Sequence, residues 1–307
     1  MINLKQLEAI YWLRELENYQ LVADRLNLTQ PAISARITSL EQTIGSNLID
    51  REAAHFQFTP MGIEVTEYAE RMLMLHDTMM ADIKTDPRTK IRLGIVGPVF
   101  MTWLPELLER LKANMPRLIV EITTGSNVQL SRHIRAGAID LAFVSRLPGD
   151  EPPFRSFAVD YRLGWGGCPD PELMDGRTLT LADIGRQPLV LYPSSAPLYS
   201  PVQNILPELE TKQSGPRHFA NSLSTIVDMV RRGYGLSAIP VAVVEDAIDS
   251  GALVIYPVDH HLASLRIYCS HISNDRRQLM TSVLAEAREA AVTYARRLPE
   301  FVSIVKG

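Results

Sequence analysis

The chain has 307 residues, 46% of them hydrophobic and 21% charged, which suits two or three packed domains and excludes collagen-like, low-complexity and disordered chains. Two cysteines, Cys168 and Cys269, exclude a disulfide framework and a multi-cysteine zinc site. The net charge of −4 resides wholly in residues 1–90, which hold nine Lys and Arg against thirteen Asp and Glu, while the remainder is balanced at 22 of each. Nucleic-acid binding by that third therefore depends on a local basic face.

Leu4, Leu7, Ile10, Tyr11 and Leu16 recur with helical spacing and predict a helix over 4–17. Its charges, Lys5, Glu8, Arg14 and Glu15, interrupt any signal-peptide core, and no apolar run is long enough to cross a bilayer, so a cytoplasmic protein with no membrane partner is expected. Asn18 caps a second helix over 20–26, residues 27–29 turn tightly, and Gln30-Pro31 opens a third helix that Gly45 stops. Short strands over 48–51 and 56–58 complete a winged helix-turn-helix order. A long helix then runs from 59 to about 86. Along it Met61, Val65, Tyr68, Met72, Leu75 and Met79 recur at alternating steps of four and three, a heptad seam that wants a partner helix. The competing reading is an ordinary core stripe.

After a turn-prone boundary at 84–90, strands and helices alternate: strands over 91–96, 118–124 and 140–144, helices over 103–113 and 128–136. A second set follows, with strands over 189–192, 217–220, 236–239 and 253–256 and a helix over 222–232, before a last strand at 266–269 and a helix over 275–297. Such alternation predicts parallel sheets in two lobes, hinged near 161–164 and 263–266, with a ligand in the cleft between them.

The stretch from Ala23 to Arg51, with Phe58 to Gly62, carries Ala-x-x-Leu, Thr-Gln-Pro-Ala, Ser, Leu-Glu, Gly, Leu-x-x-Arg and Thr-x-x-Gly in one order. It resembles the DNA-binding head of the LysR-type transcriptional regulators. Comparable pieces recur through the body, from Gly94 to Pro105, Glu121 to Leu130, Arg135 with Asp140-Leu-Ala-Phe, and Val230 to Pro240. The resemblance implies an α/β protein with an N-terminal winged helix-turn-helix over 1–60, a dimerising linker helix over 61–88 and an effector-binding regulatory domain over 89–307. That domain would consist of two periplasmic-binding-protein-like lobes, the first about 89–162 with 266–307, the second about 163–265. It also implies a homodimer through the linker helix, and a tetramer through the bodies.

A recognition helix presents its N-terminal residues to base edges, so Thr29, Gln30, Pro31, Ser34, Ala35 and Thr38 form the reachable set. Gln30 suits adenine, Ser34 and Thr38 suit bases or phosphates, and Arg36 and Arg51 are the phosphate candidates on double-stranded promoter DNA. The plainer reading makes Ile33, Ile37 and Leu40 a core stripe and Gln30 a solvated cap. Leu21, Ala54, His55 and Gln57 stand where family members often carry basic residues, so fewer phosphate contacts are expected.

Ser194-Ser195 in the body and the seven histidines scattered along the chain give no nucleophile elbow, HExxH or phosphate loop, so neither an enzyme nor a cofactor is expected. His260, His261, Cys269 and His271 are the only metal-compatible cluster. Lone Cys and His alternating along a strand are more often packing and surface, so no metal site is expected. The resemblance places an effector against Gly97, Pro98, Val99, Phe100 and Thr102, against Ser126 and Asn127, against Ser145 and Arg146, and against Tyr192, Ser194, Phe219 and Asn221. Val96 and Pro98 replace hydroxyls that family loops often present, and Phe100, Trp103, Tyr192 and Phe219 surround them, so a small organic acid, aromatic or otherwise apolar, is the expected effector. Alternatively Trp103 and Phe219 are core residues. A solute-binding protein would account for the body but has no use for the head.

Overall fold

The structure is a computed structural model that describes residues 2–50, 55–84, 90–145, 154–193, 199–210, 214–271 and 277–306. Two compact units arise, one built on Met1–Pro87, the other on Arg88–Ile134 with Ile139–Gly307.

In the first unit, helix α1 (Leu4–Leu16) starts with a reciprocal cap: the Asn3 side chain accepts from the Gln6 N–H, and the Gln6 side chain accepts from the Asn3 N–H. Asn18 caps α2 (Tyr19–Arg25), accepting from the Gln20 and Leu21 amides at 2.8 and 3.1 Å. A turn with Asn27 at φ +52° leads to α3 (Gln30–Ile44), which ends at Gly45 with φ +80°, where glycine escapes the Cβ penalty. Strands β1 (Ile49–Asp50) and β2 (Gln57–Phe58) pair antiparallel as the wing, and α4 (Pro60–Lys84) follows.

Ile10, Leu13, Val22, Ile33, Leu40 and Leu48 are wholly buried at the centre of this unit. Two residues of the head motif close it. The buried Glu41 carboxylate accepts from the Leu48 and Ile49 amides at 2.8 and 3.3 Å, fixing the chain after α3. Thr59 bonds the Asn47 carbonyl and accepts from the Gly62 N–H at 3.0 Å, and a Cβ at Gly62 would collide with the Leu48 carbonyl. The expected heptad seam divides: Val65, with Ala69 and Leu73, packs on this core, whereas Met61, Tyr68, Met72, Leu75 and Met79 are exposed.

The second unit begins with β3 (Lys90–Ile95), α5 (Gly97–Met101), α6 (Leu104–Asn114), β4 (Ile119–Thr124), α7 (Asn127–Arg135), β5 (Leu141–Ser145) and β6 (Phe154–Tyr161). It continues with β7 (Leu163–Gly167), α8 (Leu181–Arg186), β8 (Leu189–Leu191), α9 (Tyr199–Gln203), α10 (Leu206–Leu209), β9 (Arg217–Phe219), α11 (Leu223–Arg231) and β10 (Ser237–Pro240). A 3-10 turn (Val241–Val243), α12 (Glu245–Asp249), β11 (Val254–Tyr256), β12 (Leu265–His271), α13 (Arg277–Arg297) and β13 (Val302–Lys306) complete it.

Lobe one is a six-stranded sheet in the order β13-β6-β12-β5-β3-β4. Strands β4, β3 and β5 pair parallel, whereas β12 pairs antiparallel with both β5 and β6, and β13 antiparallel with β6, so the sheet is mixed rather than parallel as expected. In lobe two, β10-β7-β11 is antiparallel, and the parallel pair β8-β9 joins it through a bridge between Leu189 and Leu236. The chain passes between the sheets twice, at Arg162 between β6 and β7 and through residues 257–264 between β11 and β12. Arg92 and the buried Asp140 tie β3 to the start of β5 through a bidentate pair at 2.9 and 3.1 Å. No helix among the described residues is long and apolar enough to cross a membrane.

Candidate DNA interface and interlobe cleft

The start of α3 exposes Thr29, Gln30, Pro31, Ser34, Ala35 and Thr38, while Ile33, Ile37 and Leu40 are buried, as 3.6-residue periodicity requires of a half-buried helix. Thr29 precedes the helix without a side-chain cap; its carbonyl takes the Ala32 and Ile33 amides at 3.0 and 3.2 Å and Pro31 has no N–H, which leaves the Gln30 amide as the first-turn donor for solvent or phosphate. Arg36 is half-buried and bonds the Lys5 carbonyl at 3.4 Å. His55 and Gln57 on the wing side and Leu21 on α2 are exposed, and none of the three is a Lys or Arg. Arg51 and Ala54 lie outside the described residues.

In the second unit the expected effector residues separate into three groups. Gly97 opens α5 and approaches lobe two so closely that a Cβ there would lie 3.0 Å from the Leu223 Cβ at the start of α11. Phe100 on α5 is 52% exposed, Phe219 at the end of β9 is 65% exposed, and Asn221 is exposed. Neither α5, preceded by Val96, nor α11, preceded by Ser222, has a side-chain cap; the Ser222 hydroxyl pairs instead with Ser224 at 2.8 Å. Two helix starts, one from each lobe, therefore meet without side-chain caps among the described residues, although Pro98 supplies no amide to the first turn of α5.

The second group is engaged inside the fold. Pro98 and Val99 are buried on the inner side of α5. Thr102 donates to the Pro98 carbonyl at 2.6 Å and meets the Tyr161 hydroxyl at 3.1 Å, which also accepts from Trp103 Nε1 at 2.8 Å. Burial pushes the Tyr161 phenol far above its ordinary value despite these bonds, so it stays a neutral hydroxyl. Ser126 caps α7 in reciprocal bonds with Gln129, a Ser-x-x-Gln signature that could have been read from the sequence. Asn127 is wholly buried, and its amide bonds the Ser145 hydroxyl and accepts from the Ser145 N–H. Tyr192 is buried too, its phenol pushed far up by burial, and its hydroxyl and that of the neighbouring Ser237 lack a well-formed hydrogen bond among the described residues. Trp103 is a core residue and Phe219 is not. The third group, Arg146 and Ser194, lies outside the described residues.

Among the described residues no cluster of three or more His, Cys, Asp or Glu could hold a metal ion. Cys269 and His271 do not alternate simply along β12, because a bulge falls between Cys269 and Ser270. Cys269 is buried and its thiol is pushed far up by burial.

A winged helix-turn-helix with an exposed recognition helix, followed by a long helix and a two-lobed α/β domain, is the architecture of a DNA-binding protein with a separate body. Residues 4–63 match the bacterial regulatory helix-turn-helix of the lysR family, residues 84–292 match the LysR substrate binding domain, and the chain belongs to the LysR family. It is a transcriptional regulator with an effector-binding domain, not an enzyme. It is 25% identical to the transcriptional regulator MetR of Salmonella typhimurium over 92% of this chain and 88% of that one. It is also 25% identical to a probable hydrogen peroxide-inducible genes activator of Mycobacterium avium over 78% of each. The fold is shared with CbnR in complex with its target DNA (TM-score 0.58, 18% identity, 94% of this chain and 100% of that one). It is shared likewise with a full-length OxyR variant of Pseudomonas aeruginosa (TM-score 0.53, 17% identity, 94% and 95%).

Proposed function

We propose that this regulator binds promoter DNA as a homodimer and that a small, apolar, aromatic organic acid in the interlobe cleft modulates the binding. The observation that carries the effector class is the meeting of the uncapped starts of α5 and α11 at Gly97 and Leu223. Amides at helix starts favour a carboxylate. Phe100 and Phe219, exposed on α5 and β9, offer aromatic surface to its body. Dimerisation is supported by the exposed stripe Met61, Tyr68, Met72, Leu75 and Met79, and base reading by Gln30 and Ser34, with a tetramer as the next level of assembly. The regulator works where the promoter is, in the cytoplasm.

A peroxide-responsive role like that of the hydrogen peroxide-inducible activator has less support. The two cysteines sit in different lobes, Cys269 sealed in the core and Cys168 donating to the Val230 and Arg231 carbonyls at 3.3 and 3.4 Å. The test is a thermal-shift screen of the full chain against aromatic and aliphatic carboxylates, followed by mobility shifts on the stretch upstream of its gene. An aromatic acid that raises the melting temperature and changes the DNA shift is expected. Stabilisation by none of the carboxylates, with a response to another ligand class, refutes the effector assignment.

A further inference from the structure

The chain returns to the junction of the lobes near its C-terminal end. Helix α13 is fastened to lobe one: Ala287, Ala290 and Ala291 are wholly buried along it, Asn114 of α6 donates to Glu286 at 2.8 Å and Arg110 to Thr293 at 3.1 Å. Strand β13, which follows, pairs with β6 of the same lobe. The last turn of α13 nevertheless reaches lobe two. The Tyr294 hydroxyl donates to the Ala242 carbonyl at 3.1 Å, in the 3-10 turn after β10. The Arg297 guanidinium lies over the Tyr294 ring, 4.8 Å from its centroid, and pairs at 3.5 Å with Glu245 at the start of α12.

The same seam continues through the backbone of the first crossing. Arg162 is the one residue between β6 and β7; its N–H donates to the Phe301 carbonyl at 2.8 Å and its carbonyl accepts from the Val241 N–H at 3.0 Å. One lobe takes its donor and the other its acceptor. Tyr294, Arg297 and Phe301 of lobe one therefore hold Val241, Ala242 and Glu245 of lobe two, the first two directly and the third through Arg162. The Tyr294 bond is the strongest side-chain link, because it is buried and removing its donor leaves the Ala242 carbonyl without that partner in a site closed to water. Burial pushes the Tyr294 phenol up, so it stays a neutral donor. The Arg297–Glu245 pair, exposed on the arginine side, adds less. Neither side-chain link belongs to a crossing, at Arg162 or over 257–264, so rotation of lobe two about the crossings changes the length of both.

We propose that this seam is a conformational latch: the Tyr294 hydroxyl, backed by Arg297 and Glu245, holds lobe two in the arrangement of this structure, and rotation of the lobes proceeds through its release. Tyr294 is thus a positioning residue, acting on the cleft through lobe two and not by touching a ligand. A ligand moves the lobes only by its different affinity for their arrangements. The latch sets the ligand-free balance on which that difference acts. The inference rests on the two-lobed fold and not on the effector class proposed above, so neither falls with the other.

The test is pulsed dipolar spectroscopy of the full chain without ligand. Nitroxides go on Lys112→Cys of α6 in lobe one and Glu208→Cys of α10 in lobe two, both exposed, in a Cys168→Ser background; Cys269 is buried and stays unlabelled. Excess unlabelled chain removes distances between copies. The unmodified chain should give one dominant distance. Tyr294→Phe keeps the ring and removes only the hydroxyl, and should raise the population of a second distance severalfold. Glu245→Gln reads the latch from the ion pair, with a smaller rise, and the double variant should exceed either. Tyr256→Phe is the control: that tyrosine is also buried, but its hydroxyl donates to the Cys168 carbonyl within lobe two, so the interlobe distance should stay as it is. Three results overturn the inference: a divided distance in the unmodified chain, an unaltered distance in the Tyr294→Phe, Glu245→Gln double variant, or a shift in Tyr256→Phe as large as that in Tyr294→Phe. The last would mark general loosening and not a latch.

Discussion

Replacing Gly97 with alanine puts a methyl carbon 3.0 Å from the Leu223 Cβ, inside the roughly 3.5–4.0 Å at which two carbons attract. The backbone accepts the change, since Gly97 begins α5 outside the left-handed region that favours glycine. Leu223 is buried at the start of α11, and a Cβ, unlike the rest of a side chain, cannot turn away through a rotamer. Relief must come from moving α5 and α11 apart by a few tenths of an ångström, and that motion separates lobe one from lobe two. Overpacking of this kind costs about 1–3 kcal/mol, and each kcal/mol lowers the melting temperature of a domain of this size by roughly 2–4 °C. If an effector holds the lobes together, the same cost appears in its affinity, tenfold for each ~1.4 kcal/mol. Differential scanning calorimetry of the full chain, with and without the acid found by screening, reads both quantities. The geometry also dictates the rescue: Leu223→Ala keeps the offending Cβ and gives no relief in the Gly97→Ala background, whereas Leu223→Gly removes it. Gly97→Ala melting at the temperature of the unmodified chain, or rescue by Leu223→Ala equal to that by Leu223→Gly, refutes the reasoning.

Gln30→Ala or Ser34→Ala, both on the exposed start of α3, should narrow discrimination between operator and scrambled DNA by about 1–3 kcal/mol without unfolding the head, as competition mobility shifts and circular dichroism will show. Tyr68→Glu or Leu75→Glu on the exposed stripe of α4 should weaken self-association in sedimentation, because a carboxylate on a helix seam loses hydration without a partner. Gln57→Arg on the wing should steepen the fall of log affinity with log salt by about 0.9 for each phosphate it reaches, on all sequences alike; an unchanged slope means the wing stays clear of the phosphates. In lobe two the Thr180 N–H and hydroxyl, with Arg177 and Arg186 behind them, hold Asp183 below the usual carboxylate range. That stabilisation is present above the unfolded-state value of about 3.9 and is lost as pH falls through the lower folded value. Asp183→Asn should therefore melt earlier at neutral pH, with the difference closing below about pH 4.

The head was legible in the sequence because its signals are local. Asn18, Gly45 and the stripe of Ile33, Ile37 and Leu40 each act within a few residues, and the structure places all of them as periodicity and capping chemistry require. The body was less so. Strands β6 and β7 are joined by Arg162 alone and belong to different sheets, so no turn signal separates them, and β7 reads Leu-Gly-Trp-Gly-Gly, with little alternation to follow. Strand β13 takes its place only by pairing with β6, more than a hundred residues earlier. The heptad along α4 was visible, but its division into an inward edge through Val65 and an outward stripe follows from packing on α1, which spacing cannot reveal.

The cleft shows the limit most clearly. Asn127 is the first residue of α7, where resemblance puts a ligand contact, yet its amide is turned to Ser145 because β5 ends beside it. Ser126 and Thr102 are hydroxyls of the right kind, and each is already bonded within its own lobe. The motif residues behave alike: Glu41 binds backbone amides, Gly62 admits the Leu48 carbonyl, and Asp140 ties two strands through Arg92. A motif of this type therefore records how the scaffold closes. The contacts proposed for the effector fall instead on Phe100 and Phe219, which are exposed, and on the approach of Gly97 to Leu223, where two segments distant in sequence meet. That is why the family can be recognised from spacing while the effector must be sought by binding.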